Sequence, residues 1–253
     1  MPGVLYDVRN GVATLTLDEA DNKNALNVSI LNGIGDGLRQ ANADDEVRAI
    51  VLTNHGNTFC AGADLKATAP GQAATFSFPD ILNQVIRSPK PVIAKINGHC
   101  MGGGVGLAAV CDLSIADEAI RLGFTEVRIG VAPAMISVVC LPKLSKADAA
   151  DLFLSGRKFS GAYAASVGLI NRAVPAGELD KALAQLLGEV IAGGPLALAA
   201  AKGLLATVPA MAPEEAFAYT AELSANLFKS EEAREGIAAF RDRRPAPWLP
   251  PTV

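Results

Sequence analysis

Two largely apolar runs, residues 47–53 and 92–96, each give way to a stretch of small residues, and this repeated junction constrains the fold most. Apolar runs of this kind belong to strands buried on both faces, as in parallel sheets covered by helices. The first junction reads Thr58-Phe59-Cys60-Ala61-Gly62-Ala63-Asp64-Leu65-Lys66. The second reads Asn97-Gly98-His99-Cys100-Met101-Gly102-Gly103-Gly104-Val105-Gly106-Leu107. Small residues at a strand end let a ligand approach the backbone closely. Three glycines entering a helix also leave N–H groups facing a bound anion or a developing negative charge. Tight packing of helix on strand is the other use of such glycines, and the pattern alone leaves both open.

The flanking chain is consistent with an α/β core. Residues 4–8 and 12–17 read as a hairpin turning at Asn10-Gly11. Asn27 is placed to cap a helix carrying Leu31, Ile34, Leu38 and Ala41 at helical spacing. The stretch 54–66 reads as a loop, residues 67–78 as a mobile surface region, and a helix follows to Arg87. Pro91 opens the second buried strand, and the glycine-rich turn leads to an apolar helix near 105–110. Residues 112–116, 121–124 and 169–174 read as further strands. Ser145 and Asp148 form a capping-box pattern before a helix ending near Ser155, and Gly168 ends a short helix that follows Ser160. From Glu178 the chain turns helical, with Leu179, Ala182, Leu186 and Val190 on one face. Pro195 and Pro213 stand where first helical residues would, and Ser230 before two glutamates starts the last helix. Strand–helix alternation followed by helices alone predicts an α/β core with a helical extension.

Several function classes are excluded or disfavoured by what is present. The glycines run G-G-G-x-G, not the G-x-G-x-x-G of a dinucleotide site, and neither a P-loop ending nor a G-x-S-x-G elbow occurs. With a net charge of −4 and no basic stripe, a nucleic-acid partner is not expected. The nearest basic cluster, Arg241, Arg243 and Arg244, reads first as a solvated helix end. No signal-peptide pattern or charge-free apolar stretch of membrane-spanning length is evident, so no membrane partner is expected. Four widely spaced cysteines, Cys60, Cys100, Cys111 and Cys140, fit free buried thiols in a reducing, cytoplasmic setting. With only His55 and His99 to join them, a metal site has little support.

Together the two junctions resemble the enoyl-CoA hydratase/isomerase, or crotonase, superfamily. Phe59 to Lys66 matches its F-x-A-G-A-D-[IL]-K signature. Asn97 to Leu107, with Cys111-Asp112 beyond, matches N-G-x-x-x-G-G-G-x-x-L followed by C-D. Asn24-Ala25-Leu26 and Glu235–Phe240 match the family's N-A-L and E-G-x-x-A-F, in the same order along the chain. The resemblance implies an α/β fold, a crotonase-like spiral of β-β-α turns over residues 1–193, with a C-terminal helical region, 194–253, used in trimerisation. It implies an acyl-CoA thioester as partner, coenzyme A entering as part of the substrate rather than as a separate cofactor. Homotrimers or hexamers are expected. The thioester carbonyl would accept hydrogen bonds from the N–H groups of Ala61 and Gly103. Coenzyme A contacts are expected from Ala25, Ala61, Gly62, Ala63, Asp64, Leu65 and Lys66, and from Phe240 and Arg243 of a neighbouring subunit.

The acid–base residues decide the reaction. Hydratases of the family hold a water between two glutamates. Glu126, in Phe124-Thr125-Glu126-Val127-Arg128-Ile129-Gly130, matches one; Gly106 stands where the other belongs. Many members continue P-G-G-G-G-T, whereas this chain reads Pro133-Ala134-Met135-Ile136-Ser137-Val138, a form similar to a bacterial branch that includes methylglutaconyl-CoA-type hydratases. The leading expectation is hydration of an enoyl-CoA with Glu126 as acid and base. The alternatives are a double-bond isomerase using Glu126 alone and a non-catalytic acyl-CoA binder. His99 is expected to line or pack rather than react, Asp112 to be structural, Cys60 and Cys100 to pack, and Met101 and Met135 to line an acyl pocket or the core.

Overall fold

Side chains alternate across a strand, so a run that is apolar at every position needs cover on both faces. The computed structural model, which describes residues 3–65 and 74–249, shows that cover. Among these residues the strands form two sheets. The larger takes, in spatial order, β1 (Val4–Arg9), β2 (Val12–Leu17), β3 (Ala49–Asn54), β5 (Val92–Ile96), β7 (Leu113–Asp117) and β10 (Arg172–Val174). The smaller takes β4 (Thr58–Cys60), β6 (His99–Met101), β8 (Arg121–Gly123) and β9 (Lys158–Ser160). Apart from the antiparallel β1–β2 and β8–β9 pairs, neighbouring strands run parallel. Asn10 and Gly11 both adopt positive φ, 51° and 75°, which turns the first hairpin as its Asn-Gly predicts.

On β3, Ile50 and Leu52 enter the main core with Ile34 and Leu38 of α1 (Val28–Ala43) and Ile81 of α2 (Phe78–Arg87). Ala49 and Val51, one position out of phase, pack with Ile93 and with Leu186 of α7 (Leu179–Ile191) on the other face. That is why residues 49–52 are apolar at every position. Asn27 caps α1 as expected, its side chain accepting from the Ile30 N–H at 2.9 Å. Ser77 and Asp80 form a full capping box on α2, a start not read in the sequence. At α5 (Lys146–Ser155) the expected box is half formed: Ser145 Oγ accepts from the Asp148 N–H at 3.1 Å and donates to the Asp148 carboxylate at 2.6 Å.

Each turn of the chain visits the large sheet, then the small sheet, then a helix. The sequence runs β3–β4–α2, β5–β6–α3 (Gly103–Val110), then β7–β8 and α4 (Ala134–Cys140). This is the expected spiral of β-β-α turns, but β4, β6 and β9 lie in stretches read as loop or left unassigned. The strand expected over 169–174 is shorter than read. Leu169 and Ile170 instead donate their N–H groups to the Ala164 carbonyl, wrapping the end of α6 (Gly161–Ser166), and only residues 172–174 pair as β10. Lys66 and residues 67–73 lie outside the described residues.

The last helices are α8 (Pro195–Thr207), α9 (Pro213–Phe228) and α10 (Glu231–Arg241), with proline first in α8 and α9 as predicted. Specific polar contacts tie them to the sheets. Lys202 Nζ meets Asp112 Oδ2 at 2.7 Å and donates to the Val85 carbonyl at 2.8 Å. Arg48 donates to the carbonyls of Gly193 and Trp248, at 2.8 and 2.5 Å, and so holds both ends of this helical excursion. No single helix among the described residues is long and apolar enough to cross a membrane.

Candidate active site

Three parallel strands of the small sheet end at one place. Cys60 of β4 lies in register with Cys100 of β6, and Met101 of β6 with Gly123 of β8. Beyond β4 comes Ala61-Gly62-Ala63, beyond β6 the first turn of α3, and beyond β8 the 3₁₀ turn Thr125–Ile129 carrying Glu126. Three strands in a row thus bring together segments drawn from residues 61 to 126. They border a cavity of about 500 Å³ whose other walls are Leu26, Phe78, Ile129 and the stretch from Val131 to Ile136.

Two glycines make the close approach. Gly62 adopts φ +87°, and a Cβ on it would stand 3.0 Å from the Met101 carbonyl and 3.1 Å from the Gly103 nitrogen. Gly102, at φ +51°, lies against the acid: a Cβ there would be 3.1 Å from Glu126 Oε1. A side chain at either site would strain the backbone and part the three segments.

The amides divide in a way the motif did not reveal. The Ala61 N–H donates to the Lys23 carbonyl at 3.1 Å. It is therefore already bonded, which corrects the expectation that it faces a thioester oxygen. Two residues on, Ala63 pairs with Leu26 in a short parallel bridge, in which Leu26 donates to the Gly62 carbonyl at 2.8 Å. In that register the N–H of Ala63 itself points away from Leu26. Among the described residues neither the Ala63 nor the Gly103 N–H has an acceptor, and both residues line the cavity. Gly103 is the first residue of α3, where N–H groups have no partner within the helix. Missing Ala63 as a donor was unavoidable, because the competing carbonyl comes from Lys23, held in a left-handed turn at φ 54° far back in the chain.

Glu126 is the one ionisable side chain among the described residues that line the cavity. Its Oε2 is buried without a hydrogen-bond partner among the described residues, and burial raises its pKa above the ordinary carboxylate value. A half-buried carboxyl with one unpartnered oxygen, beside an apolar cavity, is suited to proton transfer.

The other expected residues fall as follows. Gly62, Ala63 and Leu65 line the cavity, Leu65 at its exposed edge. Ala25 is buried one residue from the lining, and Asp64 accepts from Asn22 Nδ2 at 3.3 Å. Phe240 and Arg243 are exposed on α10 and its C-terminal turn and do not reach this chain's cavity. Met135 lines it; Met101 meets Gly62 through its backbone. His99 neither lines the cavity nor packs in the core: it is exposed on β6 and accepts from the Arg121 N–H at 3.1 Å. All four cysteines are buried free thiols, and burial pushes Cys60, Cys111 and Cys140 up to about 12, so they stay protonated at neutral pH. Asn24, in the N-A-L match, is fully buried: it donates to the Thr58 and His55 carbonyls at 2.8 and 3.1 Å and accepts from the Glu19 N–H at 2.8 Å. It braces the start of β4, a role no local pattern announces.

The sequence profile described as enoyl-CoA hydratase/isomerase matches residues 7–250. The chain belongs to the enoyl-CoA hydratase/isomerase family. It is 36% identical to a Thermus thermophilus protein named "putative enoyl-CoA hydratase", over 92% of this chain and 96% of that one. It is 31% identical to the carnitinyl-CoA dehydratase of Salmonella typhi, covering 96% and 97% of the two chains. Its fold matches the crystal structure of an enoyl-CoA hydratase from Mycobacterium smegmatis with a TM-score of 0.90, at 29% identity over 98% and 99% of the chains. This family acts on acyl-CoA thioesters. Among the described residues, the cavity has two amides without an acceptor at one wall, one carboxyl at another and apolar side chains between.

Proposed function

We propose that the protein catalyses reversible addition of water to the α,β-double bond of an enoyl-CoA. The observation that carries this is the convergence on one cavity, among the described residues, of two acceptor-free amides, at Ala63 and Gly103, and a single half-buried carboxyl, Glu126. Addition at the β-carbon, or loss of an α-proton, moves negative charge onto the thioester oxygen. Two preorganised backbone donors stabilise that charge, each by roughly 3–4 kcal/mol in comparable sites. Glu126 takes a proton from water as it adds and returns it at the α-carbon, so one group serves as base and then acid. Names given to the relatives support hydration or its reverse. Coenzyme A enters as part of the substrate, with Ala25, Asp64 and Leu65 on the approach to the cavity.

A second reading, migration of a double bond from the 3- to the 2-position, is favoured by the lone carboxyl, since one group suffices to move a proton along an enolate. Purified protein offered crotonyl-CoA and a 3-enoyl-CoA, with loss of the enoyl absorbance and products followed, tests both. The expected result is hydration that falls by about 10²–10⁴ in Glu126→Gln while acyl-CoA binding is kept. Absence of hydration with rapid migration would transfer the assignment to the second reading, and binding without any turnover would overturn both.

A further inference from the structure

Gly106 lies one turn into α3 and is buried under α4. A Cβ built on it would stand 2.2 Å from Ile136 Cγ2, 2.7 Å from Ile136 Cβ and 3.5 Å from Ile136 Cα. Rotating the Ile136 side chain removes only the first of these contacts. An alanine at 136 would keep the second, because its Cβ occupies the same place. Only glycine at 136, or a displaced α4, admits any side chain at 106. Ile136 is almost fully buried and lines the cavity together with Glu126. The space is therefore filled from α4 by an isoleucine and closed to anything projecting from α3.

We propose that Ile136 is a selectivity residue: with Gly106 it forms a steric pair that bars a second carboxylate and keeps this wall of the cavity apolar and dry. The inference rests on the enoyl-CoA reading above and extends it to product choice. With one carboxyl and no polar group at 106 or 136, water is held by Glu126 alone. Hydration by Glu126 then relies on a singly held water, which leaves double-bond migration as a competing side reaction that a second acceptor for the water would suppress. Opening the wall admits water, and a glutamate at 106 in the opened wall gives that water a second acceptor. Specificity for the outcome would thus sit in a pair of residues that do not themselves exchange protons.

The test is a cycle of Gly106→Glu, Ile136→Gly and the double variant, with Ile136→Val as control, read by thermal melting and by the ratio of hydration to migration. Gly106→Glu alone should lower the melting temperature by at least ~5 °C, the size expected of an overpacked core in a chain this long, without raising hydration. The double variant should melt above the Gly106→Glu single and raise the hydration ratio about tenfold or more, within the range of a positioned proton-transfer group. Ile136→Gly alone should raise the ratio by a smaller factor, and Ile136→Val, which keeps the Cβ contact, should not rescue the melting loss when combined with Gly106→Glu. A Gly106→Glu protein that melts like the parent overturns the steric pair. A ratio unaltered in both Ile136→Gly and the double variant overturns the selectivity role. If the parent turns over neither substrate, the functional reading and the selectivity role fall together, and the melting series alone decides the pair.

Discussion

Glu126 combines a burial that raises its pKa with an oxygen that has no partner among the described residues, so the free protein holds it at a cost. The sign of that cost is testable. A carboxyl whose pKa is higher folded than unfolded binds its proton more tightly in the native state. Stability is then greatest below the unfolded value and is lost as pH rises through the raised folded value. Glu126→Gln should therefore melt higher than the parent at pH 7 and no higher at pH 4, while activity is lost. Equal melting at both pH values would remove the strain argument. The acid limb of kcat/KM should likewise lie above the ordinary glutamate range, since the ionised form of the free enzyme takes the first proton. Glu126 was legible because it stands at a fixed place in a motif. The donor at Ala63 was not, because which amide of Ala61-Gly62-Ala63 is free depends on the carbonyl of Lys23 and on the bridge to Leu26.

At the scale of elements, the site is the common end of β4, β6 and β8, strands of three residues each. Segments this short carry no measurable alternation, so two of them read as loop; their pairing comes from neighbours distant in sequence. Longer elements announced themselves through caps and periodicity: Asn27 before α1, Ser145 before α5, Ser230 before α10, and prolines at the starts of α8 and α9. What joins α8 to the sheets is a mostly buried ion pair, Lys202–Asp112, with Asp112 also accepting from the Val92 N–H at 2.7 Å. Removing one partner of such a pair leaves an uncompensated charge, so Lys202→Met should cost about 3–5 kcal/mol. Denaturant unfolding should show that loss, and replacing Asp112 with leucine in the same chain should restore part of it. A single variant as stable as the parent would mean that the pair contributes nothing net.

For the whole molecule, the C-terminal helices are unfinished in one chain. Neither α8 nor α9 contributes a buried residue, and Phe217, Phe228 and Phe240 are 76%, 71% and 88% exposed. Leu204, Leu223, Leu227 and Phe228 line an apolar groove among α8, α9 and α10. Apolar surface on this scale marks an interaction face. We propose that copies of the chain cover it as a trimer or hexamer, bringing Phe240 and Arg243 of one subunit toward coenzyme A in another. Light scattering should give three or six times 26.1 kDa, and Phe228→Asp should shift the mass toward the monomer. A monodisperse monomer at micromolar concentration would refute this.

By itself the sequence determined the α/β core, the order of the helices other than α4 and the two small-residue junctions, because apolar periodicity, caps and glycine runs act over a few residues. The tertiary structure decided which backbone amides remain unpaired, that a second sheet of minimal strands gathers the site, and that Ile136 fills the space above Gly106. Those depend on contacts between segments tens of residues apart, where the competing acceptor or obstructing methyl group leaves no trace in the local pattern.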